Sequence, residues 1–450
     1  MKFAGHFLLA WFMLMLTFSP VQAQSPPDTL TITLNSAQQI ALEKNPRLQS
    51  AEKDIRKASA QAAQARGNLL PRLNAYTNYN HNFELPIFTI DFGGQKQSFR
   101  AGSKENITAG LQLQQPLFRG GSIYSGYQMA RFGEQVSENQ AKITRQQILL
   151  EVRQAYYNAL FTKELIAVAE EALQNVQRNY EQVQKQKDVG TASGFDLLRA
   201  QVQVSNTRPQ LIAAQHRHDQ ALTGLRTTIG LDRETPITVS GSLTQKRTNW
   251  ADSSLAALQQ LALDQRLEMV NVRLQRSMQK ESLDIARAQY MPTLAMSANL
   301  QHQMQEDDLN LDNEDFIRSV SGGLSLSIPL FSGGSNYAGV QQAKVELRKV
   351  NDTEQQVRNM IAAEVESAYY SLVDAREKLD SQTQTIQQAE ESLRLAELMY
   401  QEGTATQLDV LNAQLALQQA RSNYSQYLLQ YNVAADQLRK ALNELNPPTF

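Results

Sequence analysis

The sequence predicts a mainly α-helical, internally duplicated protein with a small membrane β part. Three observations carry this reading. The first is a repeat. Gly190-Thr191 and Asp196 recur as Gly403-Thr404 and Asp409, a spacing of 213 residues. Glu151-Val152 with Ala155-Tyr156-Tyr157 recurs as Glu364-Val365 with Ala368-Tyr369-Tyr370, and Pro116-Leu117-Phe118 before Gly120-Gly121-Ser122 as Pro329-Leu330-Phe331 before Gly333-Gly334-Ser335. Upstream, Ala41-Leu42 and Pro71 match Ala262-Leu263 and Pro292 at a spacing of 221, so the length change of eight residues falls between Pro71 and Pro116. A length change confined to one connection marks that connection as a surface loop. The second observation is long heptad-patterned stretches. The third is four segments of period two.

Residues 1–23 read as a signal peptide, with Lys2, an apolar core from Phe7 to Phe18, and small residues at Val21-Gln22-Ala23. Absence of cysteine excludes disulfides and a lipid-acceptor thiol. A net charge of −2 argues against nucleic acid as a partner.

The first repeat, 24–229, opens with a helix running to about Gly67, Ser36 and Gln39 forming a capping box. Strands follow at about 72–83 and 105–117. In the first, Leu73, Ala75, Thr77 and Tyr79 alternate with Asn74, Tyr76, Asn78 and Asn80. In the second, Ile107, Ala109, Leu111 and Leu113 alternate with Thr108, Gly110, Gln112 and Gln114. Next comes a long helix, 122–187, of roughly 100 Å at 1.5 Å per residue. Its seam, from Ile148 and Val152 to Tyr180 and Val183, steps by alternate fours and threes. A helix at 196–229 completes the unit, with Pro209 predicted to kink it.

A connector spans 230–252. The second repeat, 253–444, repeats the plan: a helix from Ser254 to Gln289, strands at about 293–303 and 317–330, a long helix 335–401 and a helix 408–444. Residues 445–450 form a tail in which Pro447-Pro448 forbids a strand. Seam positions are often Ala, Thr or Gln, which suits helices packed on two neighbours in a curved wall better than a solid rod.

Strands about ten residues long with one apolar face suit a transmembrane barrel, and a half-buried soluble sheet has the same alternation. Lipid offers no hydrogen-bond partners, so a membrane sheet must close. Four strands are too few, since the smallest barrels use about eight. Several copies would then pool their strands and their helices into a hollow tube.

This plan resembles the TolC-like outer-membrane efflux channels. The resemblance rests on the duplicated order of elements, Leu34-Asn35-Ser36-Ala37 through Asn45-Pro46, the Pro-Leu-Phe-x-Gly-Gly junctions and the Gly-Thr turns ending in Asp. It implies a homotrimer whose 12-stranded β-barrel in outer-membrane lipid continues into a 12-helix α-barrel crossing the periplasm. It also implies a passive exit duct for an inner-membrane pump, of resistance or secretion type, joined through a periplasmic adaptor protein. The cargo implied is small toxic compounds, with type I protein secretion as the alternative. A periplasm-spanning coiled-coil protein without a channel is the rival from a different class.

Gly190 and Gly403 suit helix stops, and Asp196 and Asp409 the N-cap or first turn of the next helix. The resemblance adds adaptor docking at Gly190, Thr191, Asp196, Gly403, Thr404 and Asp409. It also implies that Asp409 lines a constricted entrance, where three like charges would raise its pKa. Asn412 stands where a second acidic ring is expected. Tyr400 matches a tyrosine of the closed-state network, and Ala405 replaces that network's arginine. The acidic stretch from Glu306 to Asp315 lacks the glycine and terminal glutamate of a calcium loop and reads as a solvated loop. His218 reads as a packed seam residue, and Gly120-Gly121 and Gly333-Gly334 as strand-to-helix junctions, not phosphate loops. No catalytic constellation, cofactor motif or metal set is visible, so no enzyme is predicted.

Overall fold

The computed structural model describes residues 29–245, 248, 250–308 and 316–445. The signal-peptide segment, residues 309–315 of the acidic stretch and residues 446–450 of the tail lie outside them.

The chain begins with β1 (Leu30–Ile32), α1 (Leu34–Lys44) and α2 (Pro46–Gly67). The single opening helix is thus two. Pro46 restricts the residue before it to extended backbone, and Asn45 sits at φ −66°, ψ 122°. The Asn45 side chain then accepts from the Arg47 amide at 2.9 Å, capping α2. The capping box of α1 also lies three residues earlier than Ser36–Gln39. Thr33 Oγ1 accepts from the Ser36 amide at 3.1 Å, and Ser36 Oγ accepts from the Thr33 amide at 2.8 Å.

Next come β2 (Arg72–His81), β3 (Ile87–Phe92), β4 (Gln95–Arg100) and β5 (Glu105–Arg119). The surface connection between β2 and β5 therefore carries a hairpin of its own. α3 (Ser122–Asp188) and α4 (Gly194–Ile229) follow, and α4 continues through Pro209 as one helix. The connector holds a strand, β6 (Ile237–Val239), pairing in parallel with β1. The second half contains α5 (Leu255–Gln265), α6 (Leu267–Ala288), β7 (Thr293–Glu306), β8 (Ile317–Ser327), α7 (Ser335–Gln401) and α8 (Gln407–Ala441). Here too one anticipated helix is broken, at Arg266, with no proline to signal it.

Arg266 is 4% exposed, and its charge explains the break. Its guanidinium donates to both oxygens of Glu268, to Glu364 at 2.7 Å and to the Ala441 carbonyl. Lys440 also donates to Glu364, at 3.0 Å. Burial alone raises the carboxyl pKa of Glu364, but the Arg266 charge and the Lys440 hydrogen bond outweigh it and hold it low. Glu268 is likewise penalised by burial and held low by Arg266. A depressed folded pKa stabilises the fold above the unfolded value of about 4.3 and loses that contribution as pH falls through the folded value. Thermal unfolding in detergent should therefore shift down steeply below about pH 4. Glu364→Gln should flatten that acid limb; an unchanged slope would contradict the assignment.

The two 67-residue helices α3 and α7 each pack along their successor, α4 and α8. Along the α3 seam Ile148, Val152, Ala159, Thr162, Ala169, Val176 and Val183 are buried; along α7 so are Ile361, Val365, Ala368, Leu372, Ala375, Leu379, Gln382 and Ala389. Two apolar cores sit midway along these helices. One joins α1, α3 and α4 with β1 and β6, around Ile32, Ile148, Leu225 and Ile229. The other joins α5, α7 and α8, around Ile361, Leu372, Leu438 and Leu442. Each fully buried Leu or Ile contributes roughly 2 kcal/mol. Leu445, assigned above to the tail, is buried against Leu149 and Leu150. Towards the tips the seams thin to alanine, glutamine and single aliphatics.

The two repeats are clamped across α3 and α8. Asp436, 1% exposed, accepts from Arg153 at 3.1 Å and from the Tyr157 hydroxyl at 3.0 Å. Arg439 also reaches Asp436, at 3.3 Å, and its guanidinium lies over the Trp250 ring. Burial, and then the Asp436 charge, push the Tyr157 phenol far up, so it remains a donor. Half-buried His218 meets Thr162 across α3 and α4 at 3.0 Å.

The four long strands form one antiparallel sheet in the order β2-β5-β7-β8. Its register gathers one apolar face and one polar face. Leu73, Leu113 and Ala298 lie in line, as do Ala75, Leu111, Leu300 and Val320. The opposite face carries Asn74, Gln112, Asn299 and Ser321. There Tyr76 crosses its partner Gly110 to reach Asn299 at 3.2 Å, and a Cβ at Gly110 would stand 3.0 Å from the Tyr76 ring. The duplicated Pro-Leu-Phe segments part company here. In the first repeat β5 carries them to Arg119 through a register shift at Leu117, because proline lacks a donor. In the second, β8 ends at Ser327, before Pro329, and Leu330 and Phe331 are 92% and 90% exposed. β5 has partners on both sides, whereas β8 is an edge. Gly121 and Gly334 take left-handed φ of 85° and 83° as N-caps where strand turns into helix.

Candidate docking and entrance site at the helix tips

At the far end of α3 the amide of Gly190 bonds the Lys187 carbonyl at 2.9 Å, and that of Thr191 bonds the Gln186 carbonyl at 2.8 Å. This 5→2 and 6→1 pair is a Schellman stop, and it requires a left-handed residue, which Gly190 supplies at φ 81°. α7 ends identically. Gly403, at φ 74°, bonds Tyr400, and Thr404 bonds the Met399 carbonyl at 2.9 Å. The hydroxyls of Thr191 and Thr404 each donate to the same carbonyl as their own amide, at 3.0 Å. Their first task is therefore local.

The next helix begins two residues later with a capping box. Ser193 Oγ accepts from the Asp196 amide and donates to Asp196 Oδ2 at 2.6 Å. Thr406 and Asp409 repeat the arrangement, with donations to Asp409 Oδ2 of 2.6 Å from the hydroxyl and 2.8 Å from the amide. Asp196 and Asp409 thus stand at the third helical position, not at the N-cap. Hydrogen bonds from the Thr406 hydroxyl and amide hold the exposed Asp409 carboxyl below its usual range. Within one chain its pKa therefore moves opposite to the rise implied by a ring of like charges. Ser193 and Thr406 escaped the sequence reading, although the Ser/Thr-x-x-Asp spacing was available to find them.

The two tips touch. The Tyr400 hydroxyl donates to Gln186 Oε1 at 2.9 Å, tying the end of α7 to the end of α3. Burial, and then the Asp196 charge, raise the Tyr400 pKa. Further back, Arg421 on α8 forks to Glu171 on α3 and, at 2.9 Å, to Glu390 on α7. Neither Gln186 nor Arg421 belongs to the sequence-derived set, because partners on another helix leave no local signal. Asp409 and Asn412 share an open groove between α7 and α8 with Glu391, Met399 and Ala405. Tyr400 does not line it. The entrance candidates therefore divide into a groove pair and a separate inter-repeat link. Among the described residues no group of three or more His, Asp or Glu side chains is placed to hold a metal.

Tyr400→Phe removes one half-buried hydrogen bond, worth about 0.5–1.5 kcal/mol, while keeping the ring. The tips should separate more readily, and single-channel recordings should show a higher open fraction with an unfolding temperature lowered by no more than a few degrees. An unchanged open fraction would remove this link from gating.

The geometry can now be set beside known proteins. The family model described as outer membrane efflux protein matches residues 37–231 and again 258–444, once in each repeat. The chain belongs to the outer membrane efflux protein family. It is accordingly an outer-membrane protein that extends into the periplasm. Alkaline protease secretion protein AprF of Pseudomonas aeruginosa is 26% identical over 92% of this chain and 84% of its own length. Outer membrane protein TolC of Escherichia coli strain K12 is 22% identical over 89% of this chain and 80% of its own. A crystal structure of a membrane protein from Pseudomonas aeruginosa shares the fold with a TM-score of 0.75, at 21% identity, covering 91% of this chain and 93% of that one. No helix of the described residues is long and apolar enough to cross a membrane.

Proposed function

We propose that three copies of this chain form a passive exit duct, exporting small toxic compounds when coupled to an inner-membrane transporter through a periplasmic adaptor. The observation that carries it is the four-stranded sheet, apolar on one face, lined by Asn, Gln and Ser on the other, with β2 and β8 as open edges. An open edge in hydrocarbon leaves backbone groups unpaired at several kcal/mol each, so β8 of one copy pairs with β2 of the next. Three copies supply twelve strands, polar face inward. The exposed Leu330 and Phe331 beyond the β8 edge are covered on assembly. The same closure sets α3, α4, α7 and α8 of each copy side by side as a twelve-helix wall. The adaptor then docks at the tips around Gly190, Thr191, Asp196, Gly403, Thr404 and Asp409, and Asp409 with Asn412 faces the entrance.

Protein secretion is the second reading, favoured by the names of two relatives, AprF and the proteases secretion protein PrtF of Dickeya chrysanthemi. The pyoverdine export outer membrane protein OpmQ of Pseudomonas aeruginosa, 24% identical over 91% of this chain, favours a small cargo. The coiled-coil rod without a channel has no use for a two-faced sheet. Purified protein should conduct in planar bilayers and should migrate as a heat-resistant trimer. Absence of conductance, even for Tyr400→Phe with Asp409→Ala, would remove the duct. Deletion in the native strain, followed by survival on toxic compounds and by assay of secreted protein, separates the two cargoes.

A further inference from the structure

The β3–β4 hairpin is two-faced, with four of its five large apolar side chains on one face. Phe88 lies across from Phe99, Ile90 from Gln97 and Phe92 from Gln95. The other face pairs Ile87 with Arg100, Thr89 with Ser98 and Asp91 with Lys96. A Gly93-Gly94 turn closes it, both glycines at positive φ, with Asp91 Oδ1 accepting from the Gly94 amide at 2.8 Å. Phe88, Ile90, Phe92 and Phe99 are all exposed, from 42% at Phe99 to 69% at Phe92. A lone two-stranded hairpin is marginal in water, so this face requires a partner.

The side of the sheet from which the hairpin departs indicates that partner. The apolar face of β2 runs from Leu73 to Tyr79, and the next residue on that face, His81, pairs with Glu105 at 2.7 Å. That polar pair ends the apolar band. Phe83, 88% exposed, then meets edge-on the ring of His81, which lies on the apolar face, centroids 4.7 Å apart. The contact sets Phe83, four residues before the hairpin, on the face that meets lipid in the barrel reading. The opposite face offers Asn80, Asn106 and Thr108 at this end, and the apolar residue in register there, Ile317, lies on β8, two strands away from β5.

We propose that the hairpin lies against the outer-leaflet lipid beside the barrel mouth, seating Phe88, Ile90, Phe92 and Phe99 in the interfacial layer. Aromatic residues favour that layer, where an apolar body meets lipid and the backbone edge stays near water. The assignment rests on the barrel reading above.

Because the chain contains no cysteine, single cysteines report position without background. Ile90→Cys, Thr89→Cys, Leu111→Cys and Asn78→Cys are labelled with an environment-sensitive fluorophore and reconstituted in phosphatidylcholine vesicles carrying brominated acyl chains. Leu111 and Asn78 lie on the apolar and polar faces of the sheet and test the barrel itself. The expected result is lipid quenching at 90 comparable to that at 111, and at least about twofold greater than at 89 or 78. Quenching at 111 without quenching at 90 overturns the hairpin assignment and leaves the barrel standing. So does efficient disulfide cross-linking of position 90 between copies, which would put the hairpins together over the pore. No quenching at 111 removes the barrel reading and the hairpin assignment together. Replacing Phe88, Phe92 and Phe99 jointly by serine gives a second readout: lipid quenching of the label at 90 should fall at least about twofold with conductance retained, and undiminished quenching overturns the assignment.

Discussion

Tryptophan in place of Gly190 or Gly403 is expected to leave the assembled protein intact while abolishing adaptor cross-linking and compound resistance. Both glycines occupy left-handed backbone, so a side chain there costs about 1–2 kcal/mol of local strain. That strain is confined to a turn at the extremity of two long helices, far from either apolar core. A Cβ at either position meets nothing within 4 Å, so the indole projects outward into whatever docks there. An adaptor that loses even 1.4 kcal/mol binds tenfold more weakly, and a buried clash exceeds that. Gly190→Ala and Gly403→Ala separate strain from obstruction: they carry the same backbone penalty without the bulk and should keep most of the cross-linking. Unchanged cross-linking in both tryptophan variants would take the tips out of the interface.

Asp436→Ala should produce the largest loss of stability, about 3–5 kcal/mol, the range for breaking a buried ion pair from one side. The Arg153 guanidinium, only 13% exposed at its side chain, would lose its carboxylate, and the Tyr157 hydroxyl would lose its acceptor. Because these groups join α3 to α8, the repeats should separate before either unfolds. Denaturant unfolding in detergent, followed through Trp250 beside Arg439, measures this. The pair Arg153→Met with Asp436→Leu removes both charges and should recover much of the loss. If Asp436→Ala costs under about 1 kcal/mol, water is reaching the cluster and the clamp assignment is wrong.

Legibility in the sequence followed the range of the interaction. The α3 and α7 seams could be read because neighbours three and four residues apart share one helix face. The two-faced strands could be read because their period is two. The glycine stops announce themselves in a short stretch, since left-handed backbone selects glycine. The breaks at Asn45 and Arg266 are instructive together. Pro46 signals the first, because proline disfavours helical backbone in the residue before it. The second depends on Glu364 and on the Ala441 carbonyl, about a hundred and about 175 residues away, and no local pattern carries it.

The site divides along the same line. Gly190, Thr191, Gly403 and Thr404 come from a repeated motif, but the motif is silent on what the threonine hydroxyls bond. The Tyr400–Gln186 link, the Arg421 fork and the Asp436 clamp all join the first repeat to the second, through residues that the duplication does not pair. Periodicity describes each copy of the unit; it contains nothing about how the copies touch.

By itself, then, the sequence determined the duplicated plan, the long seamed helices, the four alternating strands and the glycine stops, because each follows from backbone preference or from a short-range period. Only the tertiary structure decided the order β2-β5-β7-β8, the pairing of β1 with β6, the division of Tyr400 from Asp409 and the buried charges between repeats. Those arrangements depend on which distant surfaces meet, and a chain's local pattern is equally compatible with many such meetings.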